Sequence, residues 1–368
     1  MKNLFWAAIN TVPGIGSIKL RQLYRYFHDG EAVWTATVDE LANSQCLNAK
    51  ALSELIEFRQ KISIDKLKAQ LEHYKIKICI ESDKEFPKTL KEIFDPPFIL
   101  YYQGVLPRDE LCIGIVGSRT PTVYGKQIAK NMGRDLAKYN FIIISGAARG
   151  IDTNAHLGAL QNGKTIAVVG CGLDIVYPLE NKQLLETIAQ NGAVISEYPL
   201  GTLPKPGNFP ARNRIITGLS KGILVVEAAK KSGSLITAEF ALSEGRDVFA
   251  IPGNIYSVKS EGCHSLIKQG AKLVTDVKDI VEEYISTVNQ RQITTKRQDD
   301  LGFFMTAEEQ LIYDNLSFTE PKCIDEIIYK LRINVSNIAF ILLQMKLKGL
   351  VKETSPNFYI RAIRECFE

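Results

Sequence analysis

The sequence predicts an α/β protein whose doubly wound, mostly parallel sheet lies between a helical N-terminal domain and a smaller C-terminal domain. A chain of 368 residues is long enough for two or three domains. Short apolar runs alternate with helical segments between residues 111 and 286, which is typical of a parallel sheet covered by helices on both faces. Glycine, serine and arginine residues follow these runs, as expected where parallel strands end at a ligand site.

The composition excludes several classes of protein. It is 45% hydrophobic and 23% charged, and no apolar run is long enough to span a bilayer, so no membrane insertion is predicted. The seven cysteines and four histidines lack the spacing of a disulfide framework or a zinc site. The N-terminus has no signal-peptide pattern. We therefore predict a cytoplasmic protein without a metal site, and the net charge of +4 favours an anionic partner only weakly.

Residues 1–65 have the pattern of a small helical domain. Apolar residues share one helical face up to Ile9, and Gly14 and Gly16 then allow a tight turn before a second helix. This Pro-Gly-Ile-Gly turn resembles the helix-hairpin-helix motif of a SAM-like domain, in which backbone N–H groups contact nucleic-acid phosphates. A glycine-rich turn within a helical bundle explains the same residues, so both interpretations stay open.

Residues 66–286 form the predicted sheet domain. The runs 76–80 and 98–102 predict two short strands that flank the main sheet, with prolines between them. Six apolar runs predict the main strands, at residues 111–116, 141–144, 165–169, 193–195, 222–226 and 247–251.

The turns after these strands predict a site for phosphate groups. The clearest are Gly117-Ser118-Arg119, Ser145-Gly146 and Ser232-Gly233-Ser234, the last of which opens a helix. Backbone N–H groups at such turns and the dipole at a helix N-terminus both favour an anion. Neither Gly-x-Gly-x-x-Gly spacing nor a P-loop is present, so NAD chemistry and a P-loop ATPase are not predicted.

The segment 209–214, Phe-Pro-Ala-Arg-Asn-Arg, supplies further candidates. The guanidinium groups of Arg212 and Arg214 match phosphate oxygens, and Phe209 offers a flat face on which a base could stack. A solvated helix cap followed by an ordinary turn explains these residues equally well, so a site and a scaffold both stay open here.

Candidates for catalysis are few. Asp152 and His156 lie four residues apart, but no nucleophile or metal site accompanies them, and we predict that they brace the loop while Asp152 caps the helix. Glu197 and Glu227 end strands at the ligand edge, where they could act as acids or orient arginines, but neither has a visible partner in the sequence. The sequence therefore predicts no catalytic residue.

An ordered series of motifs resembles one bacterial family. It runs Gly-Ser-Arg, Ser-Gly-Ala-Ala-Arg-Gly-Ile-Asp-x-x-Ala-His, Gly-Cys-Gly-Leu-Asp-x-x-Tyr-Pro, Ser-Glu-Tyr-Pro-x-Gly, Phe-Pro-Ala-Arg-Asn-Arg-Ile-Ile-x-Gly-Leu-Ser, Val-Val-Glu-Ala, Ser-Gly-Ser-Leu-x-Thr-Ala and Gly-Arg-x-Val-Phe-Ala-Ile-Pro-Gly. This order, over residues 80–285, is similar to that of DNA-processing protein A (DprA, also called Smf).

The resemblance implies a Rossmann-like domain that binds single-stranded DNA and forms a homodimer. It further implies that the protein protects incoming DNA and loads the RecA recombinase during natural transformation, without being an enzyme or using a cofactor. Carried over residue by residue, it assigns DNA contacts to Gly117, Ser118, Arg119, Ser145, Gly146, Lys205, Phe209, Arg212, Asn213, Arg214, Ser232, Gly233 and Ser234. Such contacts predict weak sequence preference and marked salt dependence.

An enzyme is the alternative prediction. Rossmann-like nucleotide hydrolases of the lysine-decarboxylase-like group also carry glycine-rich turns and a glutamate near a helix. Glu239 follows Ser234 here, but the Pro-Gly-Gly-x-Gly-Thr turn of that group is missing.

The C-terminal part of the chain predicts a linker and a further domain. Residues 287–303 are polar and predict a flexible linker, whereas 304–368 predict three helices and a hairpin, similar to a winged helix. The third helix is not basic at its start, so duplex binding and partner docking both stay open. Residues 252–285 are predicted as the dimer surface.

Overall fold

The computed structural model describes residues 3–285, 306–318, 320–331 and 335–362. The predicted linker at 287–303 lies outside these residues. The chain divides into two compact units, one comprising Met1–Pro121 and Ile128–Val281 and the other Thr122–Gln127 and Glu282–Glu368. No helix of the described ranges is both long and apolar enough to cross a membrane.

The first unit begins with a run of short helices. They are α1 Leu4–Asn10, α2 Ser17–Phe27, α3 Gly30–Thr35, α4 Val38–Asn43, α5 Ala49–Lys61 and α6 Ile64–His73. Side-chain caps fix their starts: Thr37 and Glu40 form a reciprocal capping box at α4, and Asn48 accepts from the N–H of Ala51 at α5. The turn between α1 and α2 contains Gly14, whose φ of +77° suits glycine.

These helices share a hydrophobic core with the edge of the sheet. Trp6 of α1 packs edge-on against Phe98, with ring centroids 5.1 Å apart, and the buried side chains of Ile78 and Tyr101 belong to the same cluster. The predicted boundary after residue 65 falls inside α6, and the division into domains stays a prediction.

Nine strands form one sheet within the described residues. They are β1 Lys77–Ile80, β2 Ile99–Gly104, β3 Cys112–Val116, β4 Ile142–Ser145, β5 Thr165–Val168, β6 Ala193–Ser196, β7 Gly222–Val225, β8 Asp247–Ala250 and β9 Lys272–Leu273, in the spatial order β1-β2-β6-β5-β4-β3-β7-β8-β9. Strands β3 to β9 pair in parallel, whereas β2 joins β6, and β1 joins β2, in antiparallel register. The predicted mostly parallel sheet is confirmed, and the two flanking strands form its antiparallel edge.

Helices connect the strands and cover the sheet. They are α7 Lys88–Lys91, α8 Val123–Lys138, α9 Ile151–Ala159, α10 Lys182–Asn191, α11 Asn208–Leu219, α12 Gly233–Ser243, α13 Glu261–Lys268 and α14 Lys278–Tyr284, with short 3₁₀ turns at Leu179–Asn181 and Val258–Ser260. All residues of β3, β4, β5, β6 and β7 are buried, as their continuous apolar sequences predict.

The strand order reverses at β3. From β3 the chain proceeds to β4, β5 and β6 on one side, and it then returns to place β7, β8 and β9 on the other side. The connections after β3 and β7 therefore diverge at the carboxyl end of the sheet, where open α/β sheets bind their ligands.

The second unit contains α15 Ala307–Asn315, β10 Lys322–Cys323, α16 Ile324–Leu331, α17 Val335–Leu347, β11 Val351–Ser355 and β12 Phe358–Arg361. The three strands pair in the order β10-β12-β11, and Ile312, Leu342 and Met345 lie in the core of the unit. Three helices and a hairpin agree with the sequence pattern, while the assignment to the winged-helix class stays a prediction.

We expect Trp6→Ala to lower the free energy of unfolding by about 3–5 kcal/mol, because it removes a buried indole from the core shared by the helices and the sheet edge. Urea denaturation followed by circular dichroism measures this. Tyr26→Ala, which truncates an aromatic side chain of α2 that is 55% exposed, should shift stability by no more than about 0.5 kcal/mol. Equal losses in the two variants would contradict the shared core.

Candidate functional site

A groove lies at the point where the connections after β3 and β7 diverge. Its volume is about 580 Å³, and it is open to solvent along one side. The turn after β3, the first half of α11 and the N-terminus of α12 line it, with Gly117, Ser118, Arg119, Phe209, Arg212, Asn213, Ser232, Gly233 and Ser234 among the lining residues. The structure thus brings nine of the sequence-predicted residues to one site.

The turn after β3 is fixed by backbone contacts. The N–H of Ser118 donates to the carbonyl of Glu227 at 2.7 Å, and the carbonyl of Ser118 accepts from the N–H of Ile151 at 3.1 Å. A Cβ at Gly117 would lie 2.7 Å from Cγ1 of Ile151, so this close approach requires glycine. The rigid turn leaves the side chain of Arg119 exposed above the groove.

Arg119 lies over an aromatic ring. Its guanidinium carbon is 5.2 Å from the ring centroid of Phe209, which is a cation–π distance. No carboxylate of the described ranges lies within ion-pair distance of this guanidinium. Phe209 is half-buried at the start of α11, and the ring of Tyr177 lies 5.5 Å from it at an interplanar angle of 36°. A cation and aromatic surface therefore stand together at the mouth of the groove.

The N-terminus of α12 forms the opposite wall. Ser232 caps the helix by accepting from the N–H of Ser234, and the two hydroxyl oxygens lie 2.8 Å apart. Gly233 is exposed, and nothing would lie within 4 Å of a Cβ there. The N–H of Gly233 and the dipole at this helix N-terminus attract negative charge.

Arg212 supports the groove from below. Only 4% of the residue is exposed, and its Nη1 donates to the carbonyls of Gly146, at 2.8 Å, and of Val168. A Cβ at Gly146 would lie 2.6 Å from Nη2 of Arg212, so the glycine is needed for this packing. Burial lowers the pKa of Arg212 to about 10, and the nearby Asp152 carboxylate partly opposes that shift. The group still carries its charge at neutral pH.

Asp152 closes the loop before α9. Its carboxylate accepts from the N–H of Ala148 at 3.3 Å, and burial raises the pKa of Asp152 to about 6 despite the nearby Arg212. The N-cap of α9 is Gly150 and has no side-chain hydrogen bond, so the predicted capping of this helix by Asp152 is wrong. The carboxylate instead holds the backbone that precedes the cap.

His156 is completely buried one helical turn further along α9. The Thr165 hydroxyl donates to the carbonyl of Ile143 at 2.6 Å, so it must accept from the Nδ1–H of His156, which is 2.7 Å away. Burial, helped by the charge of Arg212, lowers the pKa of His156 to about 3. The imidazole is neutral and braces α9 against β5.

Arg214 is paired within the protein. Its two terminal nitrogens donate to Glu197 at 2.8 and 2.6 Å, and its Nε lies 3.3 Å from a carboxylate oxygen of Asp95. The side chains of Arg214 and Glu197 are only 14% and 12% exposed. This bidentate pair links α11 to the end of β6. It gives Arg214 a partner within the protein that the sequence alone does not reveal.

The remaining predicted residues have different surroundings. Ser145 is fully buried, and its hydroxyl donates to the carbonyl of Ile115 at 2.6 Å. Gly146 lines a pit of about 40 Å³ beside the groove, which Tyr177 also lines. Lys205 is exposed, and its carbonyl accepts from the N–H of Asn208 at 3.0 Å. Ser145, Lys205 and Arg214 do not line the groove.

Tyr177 is the groove residue that the sequence reasoning missed. It lines both the groove and the pit, yet it lies in a loop between β5 and α10, more than thirty residues from Phe209 in the chain. The available signal was an aromatic residue in the Gly-Cys-Gly-Leu-Asp-x-x-Tyr-Pro segment that follows a strand end.

Comparisons with known proteins identify the family. The family model for DNA recombination-mediator protein A matches residues 77–285. The chain belongs to this family. It is 33% identical to Protein Smf of Synechocystis sp. over an alignment of 390 residues, gaps included. The alignment covers 97% of this chain and 98% of that protein.

Solved structures of family members have the same architecture. DNA processing protein A from Streptococcus pneumoniae superimposes with a TM-score of 0.65 and 39% sequence identity, covering 77% of this chain and 98% of that one. The Helicobacter pylori protein gives a TM-score of 0.52 and 33% identity, covering 57% of this chain and 96% of that one. The expected Rossmann-like class is confirmed.

The pKa of His156 predicts how stability responds to acid. Because the pKa falls from 6.5 in the unfolded chain to about 3 in the folded one, the unfolded chain gains the proton first, and stability is lost as the pH falls below about 6.5. The stability advantage of the wild type over His156→Gln should shrink by about 3 kcal/mol between pH 7 and pH 4. Urea denaturation at several pH values measures the difference.

Asp152 titrates in both proteins, so its contribution cancels in that comparison. An advantage that stays constant across the pH range would contradict a neutral, buried His156.

Proposed function

We propose that this chain is a non-enzymatic, single-stranded DNA-binding protein that protects incoming DNA and loads RecA during natural transformation. The observation that carries the proposal is the exposed Arg119 guanidinium above the Phe209 ring, facing the N-terminus of α12 across an open groove. Membership of the recombination-mediator family supports it. So does the Helicobacter pylori relative, which is described as having a unique single-stranded DNA binding mode.

A single strand suits this groove better than a duplex. In a duplex both faces of each base are covered by its neighbours, whereas an unpaired base can leave the stack and lie on an aromatic ring. Phe209 provides that ring, and Arg119 lies beside it to neutralise the adjoining phosphate. Stacking accepts any base, so we expect little sequence preference.

Backbone contacts to phosphate would complete the binding. The Ser118 hydroxyl in the turn after β3, and the Gly233 N–H with the serine hydroxyls at the start of α12, are the donors that line the groove. Asn213 lines the groove between them, and Lys205 is exposed on the approach to α11. These donors contact the sugar–phosphate chain, which carries no sequence information.

We assign the buried arginines a supporting role within this proposal. Arg212 donates to two main-chain carbonyls and Arg214 to Glu197. A phosphate that recruited Arg214 would have to break a largely buried ion pair, which costs about 3–5 kcal/mol. Ser145 likewise gives its only proton to Ile115. These residues hold the strand ends, and Arg119 is the arginine that meets the strand.

The absence of catalysis is part of the proposal. Nucleotide hydrolysis was the alternative, and it needs a base near the ligand. His156 is fully buried and its pKa is lowered to about 3, whereas Glu239 is exposed on α12 without the glycine-rich turn that accompanies it in hydrolases.

We predict that the purified protein does not hydrolyse nucleoside monophosphates above the buffer rate. Chromatographic detection of released base or phosphate tests this. Turnover that disappears in Glu239→Gln would support the hydrolase instead.

Partners beyond DNA also belong to the proposal. We propose RecA as the protein partner, a homodimer formed through the Rossmann-like domain by residues 252–285, and a cytoplasmic location. The exposed apolar side chains Ile255, Tyr256 and Val258 support the choice of that dimer surface. Contact between the Gly14 turn and DNA, and the role of residues 304–368, stay predictions.

We predict that Arg119→Ala weakens binding of a labelled poly-dT strand by about tenfold or more and lowers the salt slope by about 0.7, because one phosphate contact is lost. Fluorescence anisotropy across a salt series measures both. The matched control is Arg108→Ala, which should bind like the wild type. Arg108 is also exposed, but it precedes β3 and so lies near the amino ends of the strands.

Phe209→Ala should cost about 1–3 kcal/mol of binding free energy in the same assay without changing the salt slope, because stacking carries no net charge. Phe94→Ala is its control, since Phe94 is 96% exposed and its N–H donates to Glu244 just beyond the other end of α12. If Arg119→Ala and Phe209→Ala both bind like the wild type, the DNA does not lie on this edge of the sheet.

A further inference from the structure

Tyr177 is an exposed aromatic side chain beside the proposed DNA groove. It is 40% exposed, and its hydroxyl makes no hydrogen bond within the described residues. It contributes to the groove and to the adjoining pit, next to Phe209. A tyrosine ring that is exposed to this extent and lies outside the core presents a face to a ligand.

The loop that carries Tyr177 is held in place by hydrogen bonds of its main chain and of two of its side chains. The N–H of Gly172 donates to the carbonyl of Thr202 at 2.9 Å, and the carboxylate of Asp174 accepts from the N–H of Gly201 at 2.9 and 3.0 Å. After Tyr177 in the chain, the side chain of Asn181 donates to the carbonyl of Ala147 at 2.9 Å. The position of the ring is therefore set before any ligand arrives, which lowers the entropic cost of binding.

The spacing of the two rings decides how a base can use them. Their centroids are 5.5 Å apart and their planes are tilted by 36°. Insertion of a base between two rings needs about 7 Å, twice the rise of about 3.4 Å between stacked nucleotides. The rings of Tyr177 and Phe209 are too close for that, so bases must lie on their outer surfaces.

We propose that Tyr177 is a second base-stacking residue, which together with Phe209 forms an aromatic platform for two neighbouring bases of a single strand. The inference rests on the proposed function and extends it with a further contact residue and with the course of the DNA strand across the sheet edge. Arg119 lies beside Phe209 and the phosphate between the bases passes towards it.

The order of the strands gives the direction of that path. Tyr177 follows β5, Arg119 follows β3 and Ser232 follows β7, and the sheet order is β5-β4-β3-β7. Three strand spacings of about 4.8 Å separate the ends of this path, which makes about 14 Å, or roughly four stacked nucleotides. The strand crosses the carboxyl edge from the aromatic platform to the N-terminus of α12.

The test compares Tyr177→Ala, Tyr177→Phe and Leu179→Ala in the full chain. Leu179 is 78% exposed two residues further along the same loop and does not line the groove, so it is the matched control. Each protein is titrated by fluorescence anisotropy with a labelled poly-dT strand and with a strand of equal length and charge whose nucleotides are all abasic.

We expect Tyr177→Ala to weaken poly-dT binding by about fivefold or more, while the salt slope and the affinity for the abasic strand stay unchanged. Tyr177→Phe should retain the affinity for poly-dT, because the ring supplies the contact, and Leu179→Ala should match the wild type on both strands.

Two results would overturn the inference while leaving the proposed function intact. One is wild-type affinity of Tyr177→Ala for poly-dT while Phe209→Ala is impaired. The other is an equal loss on the poly-dT and abasic strands, which would give Tyr177 a role in folding the loop. Failure of the wild type to bind poly-dT at all would instead overturn the proposed function and, with it, the platform.

Discussion

The buried guanidinium of Arg212 is the contact on which the site depends. One of its nitrogens donates to carbonyls at the ends of β4 and β5, and so joins two neighbouring strand ends to α11. A charged group this deeply buried needs hydrogen bonds, and Nη1 makes two of them in the space that Gly146 leaves, whereas the buried Nε has no partner among the described residues. Phe209 and Asn213 flank Arg212 on α11 and also line the groove, so the anchoring of Arg212 fixes the helix that carries them.

The hydrogen bonds that each arginine makes within the protein indicate its role. Arg212 and Arg214 are held by main-chain carbonyls and by Glu197, and their hydrogen bonds stabilise the scaffold. Arg119 protrudes from a rigid turn, and its guanidinium lies over the aromatic ring of Phe209. A cation on an aromatic face keeps its N–H groups free at the edges, so it can bind a phosphate without first losing an ion pair.

Much of the fold could be predicted from the sequence because a parallel sheet covered on both faces needs continuous apolar strands. The six predicted runs all overlap observed strands, and the glycine- and serine-rich turns do lie at one edge. The pairing of side chains could not be predicted. Glu197 is seventeen residues before Arg214, and a sequence gives charge but not distance. The exposure of Tyr177 was missed for the same reason, since it follows from hydrogen bonds between its loop and distant residues.

The distribution of polarity in the groove explains how it can bind a ligand of uniform charge and variable bases. Its fixed charge lies in Arg119 and in the dipole of α12, while the rings of Phe209 and Tyr177, which lie next to Arg119, carry no net charge. In the proposed complex the phosphates are attracted to Arg119 and to the N-terminus of α12 and the bases to the aromatic rings, which orients the strand without any hydrogen bond to a base edge.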